Sequence, residues 1–224
     1  VVVISDLHLG SPFCRCEPFL EFLDGLPRDA SLILNGDILD PWQELPALHR
    51  QALDRLRQES ARREVVWIRG NNDRSCTIAD PGGIRFAPSW PADGPWQAIH
   101  GHQFDRLLHG NPVLIAPFRI LYWLRIACGG EPVHVGTYAK RWSWFYSVLR
   151  RHVSRKAVAH ARRTGCRTVI CGHTHSVEDM MVDGVRYLNT GSWTEEPFVY
   201  AVIKGEDIEL VPVKAGRSSG ERGI

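Results

Sequence analysis

Five short apolar runs set the rhythm of this chain, and each stops at a polar group. Val1–Ile4 runs into Ser5-Asp6-Leu7-His8-Leu9-Gly10, and Ser31–Asn35 into Gly36-Asp37. Glu64–Ile68 leads to Gly70-Asn71-Asn72-Asp73, Trp96–Ile99 to His100-Gly101-His102, and Thr168–Cys171 to Gly172-His173-Thr174-His175. Short continuous runs rich in Val and Ile read as buried strands. Between the first three lie two helical patterns. Cys16–Leu26 carries Phe19, Leu20, Phe22 and Leu23 and is closed by Pro27. Pro46–Arg63 turns Leu48, Leu53 and Leu56 inward and Arg50, Asp54, Arg57 and Glu59 outward. Strand–helix–strand order predicts right-handed crossovers and parallel neighbours. Ile84–Ala87 adds a short strand. Four more are expected at 178–182, 185–189, 198–203 and 208–213, with Asp183-Gly184 as a two-residue hairpin turn.

The region from Gln103 to Gly165 breaks this rhythm. Pro112–Ala127 is strongly apolar, but it falls short of the roughly 20 residues a bilayer span needs and contains Arg119, Arg125 and two prolines. A membrane-spanning helix is therefore not expected. A second helix is predicted from Tyr138 to Arg163. Trp142, Phe145, Leu149, Val153 and Ala157 form one face, and Lys140, Arg141, Arg150, Arg151, Arg155, Lys156, Arg162 and Arg163 fill the others.

Charge sharpens the contrast. The chain has a net charge of only +2, yet residues 111–177 hold 11 Lys and Arg against the single acid Glu131. A basic segment on an acidic body is informative about partners. The 224 residues suit one large domain over 1–213, with the insertion at about 103–165 and a flexible Gly/Ser/Arg-rich tail over 214–224. Six cysteines are too sparse for a disulfide framework, so reduced thiols and a cytosolic location are expected. Cys14-x-Cys16 has the wrong spacing for a common zinc site, and Cys171 reads as core.

Asp6 and His8 are two apart, so an extended backbone turns both to one side. Carboxylate oxygen with imidazole nitrogen suits Mn²⁺, Fe²⁺ or Zn²⁺. Enzymes built on such sheets gather ligands at the carboxyl ends of their strands. Seven candidate ligands exceed the needs of one ion, and two ions sharing a carboxylate would use them all.

In order and content, Asp6-x-His8, Gly36-Asp37, Gly70-Asn71-x-Asp73, His100 and Gly172-His173-x-His175 resemble the motif set of the calcineurin-like metallophosphoesterases. That resemblance implies an α/β fold, a four-layer αββα sandwich of two mixed sheets. It implies that Asp6, His8, Asp37 and His175 hold one ion. Asp37, Asn71, His100 and His173 would hold the other, with Asp37 bridging and Asp73 orienting the loop. Many members have Gly-Asn-His-Asp, whose His protonates the leaving group; here that position is Asn72. A neutral amide is no general acid, which points to a substrate whose leaving group is itself a phosphate.

The Ser-Asp-Leu-His-Leu opening, the Asn-Gly-Asp-Ile-Leu-Asp second motif and the helical insertion are similar to the UDP-2,3-diacylglucosamine diphosphatases of lipid A synthesis. Departures are Asn72-Asp73-Arg74 and His102. The resemblance implies hydrolysis of a nucleotide-linked lipid to UMP and a lipid 1-phosphate, with two divalent ions, Mn²⁺ foremost. Asn71 and Asn72, with Arg74, would steady the phosphoryl charge, and His102 would supply a proton or touch phosphate. Arg155 and Lys156 are candidates for reaching a substrate phosphate, with ordinary surface charge as the more favoured alternative. The insertion would be a lid that takes up acyl chains and lies on anionic lipid at the inner face of the cell membrane. Simple packing on the core and nucleic-acid binding are the competing readings of the insertion, the second being the weaker. A general phosphodiesterase or nucleotide hydrolase is the alternative activity.

Overall fold

The computed structural model describes residues 1–41, 44–106 and 112–213, so the tail expected over 214–224 lies outside the described residues. The crossovers take the expected order: β1 (Val2–Ile4), α1 (Cys16–Asp24), β2 (Leu32–Asn35), α2 (Ala47–Ser60), β3 (Val65–Ile68) and β4 (Arg85–Ala87). After β5 (Trp96–Ala98) come the insertion helices α3 (Pro112–Ala127), α4 (Val135–Lys140) and α5 (Ser143–Thr164). β6 (Thr168–Cys171), β7 (Val177–Val182), β8 (Val185–Thr190), β9 (Val199–Lys204) and β10 (Asp207–Pro212) complete the described chain.

The strands form two mixed sheets, one in the order β10-β9-β1-β2-β3-β4 and one in the order β5-β6-β8-β7. β1, β2 and β3 are parallel, with Val2 opposite Leu32 and Leu34 opposite Trp67, while β9 runs antiparallel to β1. Period-two alternation decides what each face meets. Val2, Ile4, Leu32, Leu34, Val65 and Trp67 turn to Phe19, Phe22 and Leu23 of α1 and to Ala52, Leu53 and Leu56 of α2. Val3, Ile33, Val66 and Ile68 turn the other way, onto Trp96, Ala98, Ile170 and Leu188 of the second sheet. That sheet presents Val169, Cys171, Val185 and Tyr187 to Ala157, Val158 and Ala161 of α5. Helix, sheet, sheet and helix therefore stack as four layers.

The basic segment departs from the expected single helix. Its chain bends at Arg141–Trp142 between α4 and α5. The buried face is Tyr146, Leu149, Val153, Ala157, Val158 and Ala161; Trp142, expected inside, is 44% exposed. The bend rotates the register, so Tyr146 takes the place expected of Trp142 and donates its hydroxyl to the Thr174 carbonyl at 2.6 Å. Arg150 pairs with the buried Glu178 of β7, which fastens α5 to the sheet. No helix among the described residues is long and apolar enough to cross a membrane. α3 nevertheless leaves Ile120, Leu121, Trp123 and Leu124 exposed, and α5 leaves Trp144 and Arg151 exposed.

Candidate metal centre

The ends of β1, β2, β3, β5 and β6 meet at one edge of the sandwich, and the backbone there is strained. Among the described residues, six that are not glycine have positive φ, and five are candidate ligands: Asp6 at 54°, His8 at 56°, Asp37 at 52°, His173 at 66° and His175 at 55°. The sixth, Asp183 at 47°, sits in the expected hairpin turn. Left-handed backbone costs a non-glycine residue roughly 1 to 3 kcal/mol, and it persists where surrounding contacts over-determine it. Here those contacts are backbone hydrogen bonds between strand ends. Asp6 N–H donates to the Gly36 carbonyl at 2.9 Å, His8 N–H to Asp37 at 3.0 Å, and Trp193 N–H to Asp6 at 2.9 Å. Trp193 itself is fully buried against Phe19 and Phe198, so it is a core residue that pins Asp6 through its backbone. Gly172 allows the closest approach: a Cβ there would stand 2.2 Å from Asp6 Oδ2.

Two tight groups of ligand atoms result, Asp6 with His8 and His175, and Asp6 with Asp37 and His100. The carboxylate common to both is Asp6, whereas the resemblance gives the bridge to Asp37. In the first group His175 Nε2 lies 3.3 Å from Asp6 Oδ1 and 3.2 Å from His8 Nε2. His8 Nδ1 donates to Asp40 Oδ1 at 2.8 Å, because a carboxylate only accepts; this leaves the Nε2 lone pair facing its neighbours. In the second group His100 Nδ1 donates to the Asn35 carbonyl at 2.8 Å, and Nε2 faces Asp37 Oδ1 at 3.6 Å. Asn72 N–H donates to the same Asp37 oxygen at 2.8 Å.

The donors fit divalent cations. His100 Nε2 and Asn71 Oδ1 are buried with no hydrogen-bond partner in the protein. A buried polar atom left without a hydrogen bond is costly, and a cation would be held by the Asn71 oxygen and by the His100 nitrogen once that ring has released its proton. Asn71 Nδ2 is tied to Asn72 Oδ1 at 2.8 Å, which aims its oxygen. His173 Nε2 meets Asp105 Oδ2 at 2.9 Å, and its ring lies 5.5 Å from that of His100. His102 stands beside this group, 5.4 Å from the His100 ring.

Charge follows from burial and proximity. Burial pushes the Asp37 carboxyl up, but His100 and His8 outweigh it and hold it well below the usual carboxylate range. Burial likewise works against the His100 imidazolium, yet Asp37 and Asp6 push its pKa up to about 10. Asp73 is raised by burial and accepts from Gly70 N at 2.6 Å, Ile38 N at 2.9 Å and Trp67 Nε1 at 2.8 Å. It thereby clamps the loops of Asp37 and Asn71 together.

Three residues here escaped sequence reasoning. Asp40 holds His8 and receives Asn72 Nδ2 at 2.9 Å; its signal was its place in the second motif. Asp105, behind His173, follows a short 3-10 turn at His102–Phe104. His134 carried no signal, because it lies in an irregular stretch of the insertion. Its ring stacks on His175 at 4.9 Å and 15° and leans on His8 at 4.6 Å. Burial, with His175 and His8 beside it, pushes its pKa down to about 2. Gly136 lets α4 rest on the site, since a Cβ there would stand 2.7 Å from His175 Nδ1.

The expected phosphate contacts are not all brought in. Arg74 is exposed on the loop after β3. Arg155 and Lys156 lie on the outer face of α5, along a groove of about 460 Å³ shared with Val148, Arg151, His152 and Ala159. None of the candidate ligands lines that groove. The reason is the α5 register: Val153, Ala157 and Val158 claim the inward face.

A family model described as the calcineurin-like phosphoesterase superfamily domain matches residues 1–207. The chain belongs to this superfamily. It is a metal-dependent hydrolase of the metallophosphoesterase type, and its two mixed sheets with flanking helices are the superfamily's sandwich. Among solved structures, a Vps29 single mutant from Entamoeba histolytica is 17% identical with a TM-score of 0.47, covering 95% of this chain and 98% of that one. Yfce, a phosphoesterase from E. coli, is 18% identical with a TM-score of 0.46 over the same shares. Phosphopantetheinyl hydrolase from Mycobacterium tuberculosis is 18% identical with a TM-score of 0.42, covering 85% of this chain and 89% of that one. No curated protein sequence matches the phosphoesterase.

Proposed function

We propose that this phosphoesterase cleaves a pyrophosphate bond, with UDP-2,3-diacylglucosamine or a close nucleotide-linked lipid as substrate and UMP and a lipid 1-phosphate as products. The observation that carries this reading is Asn72. Its side chain is committed on both sides, Nδ2 to Asp40 at 2.9 Å and Oδ1 to Asn71 at 2.8 Å. A primary amide has no proton to release at ordinary pH, so an alkoxide would leave this site poorly. A phosphate leaves without that help.

Divalent ions at Asp6, His8, Asp37, Asn71, His100, His173 and His175, Mn²⁺ foremost with Fe²⁺ or Zn²⁺ as alternatives, would supply Lewis-acid charge and an acidified water for attack on phosphorus. The chain's own contribution is placement. Asp40 and the Asn35 carbonyl fix the tautomers of His8 and His100, and Asp105 engages His173. Asn71 and Asn72 edge the space where phosphoryl charge grows, and His102 and Arg74 are the groups proposed to contact phosphate. His134 and Gly136 cover His8 and His175, which excludes water from that side.

The exposed apolar side chains of α3 and α5 supply a surface for acyl chains. Basic residues near an anionic membrane contribute about 1 kcal/mol each, and Arg151, Arg155 and Lys156 fit that role better than direct phosphate binding. Peripheral contact with the cytoplasmic face of a membrane belongs to this proposal. The test is side-by-side hydrolysis of UDP-2,3-diacylglucosamine and bis-p-nitrophenyl phosphate with Mn²⁺, following UMP and nitrophenol. Release of UMP at the higher kcat/KM supports the lipid substrate. Turnover of the small ester alone would make the protein a general phosphodiesterase.

A further inference from the structure

Two thiols lie outside the chemistry of the metal centre. Cys16 opens α1 and is buried, Cys14 precedes it by two positions and is half-buried, and their sulfurs are 3.2 Å apart. His49 of α2 brings a ring nitrogen within 4.8 Å of both sulfurs. Two cysteines and a histidine suggest zinc, but the histidine argues otherwise. Its Nδ1 accepts the Gly10 N–H at 2.7 Å, so the neutral ring carries its proton on Nε2 and has no second lone pair to offer. What remains is a pair of touching thiols. We infer that Cys14 and Cys16 form a reversible dithiol–disulfide site, oxidised by a hydroperoxide and reduced by a small thiol.

The chemistry balances with hydrogen peroxide as oxidant. One sulfur attacks the peroxide, the O–O bond breaks, and a sulfenic acid and one water form. The second thiol then attacks that sulfur, the S–OH bond breaks, and hydroxide leaves with the thiol proton as a second water. Two electrons pass from the sulfur pair to the peroxide, and one S–S bond is made. The second thiol stands 3.2 Å from the first, so it is already in place for the second step. Half-exposed Cys14 gives small oxidants access. A disulfide across a single intervening residue closes a small ring, and strained disulfides are the readily reduced ones.

The place of the pair gives the change somewhere to act. Ser11 N–H donates to the carbonyl of His8 at 2.9 Å, Cys14 N–H to Ser11 at 3.2 Å, and Arg15 N–H to Trp193 at 3.1 Å. Phe13, between them, meets the His134 ring edge-on at 6.0 Å. The cysteine loop is thus bonded to the segment that carries Asp6 and His8.

The experiment treats the full chain with one equivalent of hydrogen peroxide, alkylates remaining thiols, and maps the peptides by mass. The expected result is a Cys14–Cys16 peptide that has lost two hydrogen atoms, formed at least about tenfold faster than any change at Cys76, and restored by dithiothreitol. In Cys16→Ser the disulfide is absent and half-exposed Cys14 accumulates as sulfinic acid, with the metal content unchanged. Both cysteines alkylated after peroxide, or pairing with Cys128 or Cys76 instead, would overturn the proposal. So would one zinc per chain in the untreated protein that is lost in Cys16→Ser. These readouts do not depend on which phosphoester is hydrolysed.

Discussion

Asp73 allows the most demanding check on how the centre is assembled. One of its oxygens accepts Ile38 N–H at 2.9 Å and the Trp67 indole N–H at 2.8 Å; the other accepts Gly70 N–H at 2.6 Å. Hydrogen bonds to a charged acceptor contribute about 1.5 to 3 kcal/mol each, and a buried donor left bare costs about 1 to 3. Asp73→Ala strands all three donors. Part of that loss is returned, because burial already raises the Asp73 pKa and so disfavours its charge. A net loss of about 4 kcal/mol is expected. Asp73→Asn can keep its oxygen towards Ile38 and Trp67, but its NH₂ then faces the Gly70 N–H. One donor is lost rather than three, and about 2 kcal/mol is expected. Urea unfolding of the metal-free proteins measures both, with unchanged m-values as the condition for comparison. Because Ile38 and Gly70 flank Asp37 and Asn71, metal affinity should fall roughly 10- to 100-fold in the Asn variant. Equal destabilisation by the two substitutions, or a loss under about 1 kcal/mol for Asp73→Ala, would refute the three-donor clamp.

Asp37→Ala should abolish Mn²⁺ binding and hydrolysis together while leaving the far-UV circular dichroism intact; retained turnover would show that Asp37 is not a ligand. His100, with its pKa up at about 10 in the metal-free protein, is protonated at neutral pH and must release a proton when an ion binds. Calorimetry in buffers of different ionisation enthalpy should therefore register proton release, and affinity should rise with pH until about 10. The same shift stabilises the metal-free fold fully below the unfolded value of 6.5, and that contribution is lost as pH rises through 10. Gly136→Ala would place a methyl 2.7 Å from His175 Nδ1, so α4 must lift. Faster amide exchange over 135–140 and roughly tenfold weaker metal binding are expected, and an unchanged exchange pattern would show that α4 does not rest on the ring.

Much of this molecule was legible along the chain. Apolar runs named the core strands, because alternating burial on both faces demands continuous hydrophobicity, and the residue closing each run named the edge of the site. Gly36-Asp37 and Gly172-His173 could be read locally, because the chemistry of a sharp strand-to-loop turn depends on neighbours in sequence. The bend at Arg141–Trp142 could not. The spacing of Trp142, Phe145 and Leu149 satisfies one helix, and only the competition of Tyr146 for the Thr174 carbonyl decides which residues turn inward. His134 and Asp105 were equally silent, since each matters through a partner more than 30 positions away: His175 for the one, His173 for the other.

Sequence by itself determined the fold class, the superfamily motifs and the donor types at the strand ends, because these depend on local pattern and composition. Tertiary structure alone decided that Asp6 is the carboxylate shared by both tight groups and that a histidine from the insertion roofs the site. It also decided that Arg155 and Lys156 face solvent. Those outcomes depend on how distant segments pack, where a single register or bend redirects a side chain by half a turn.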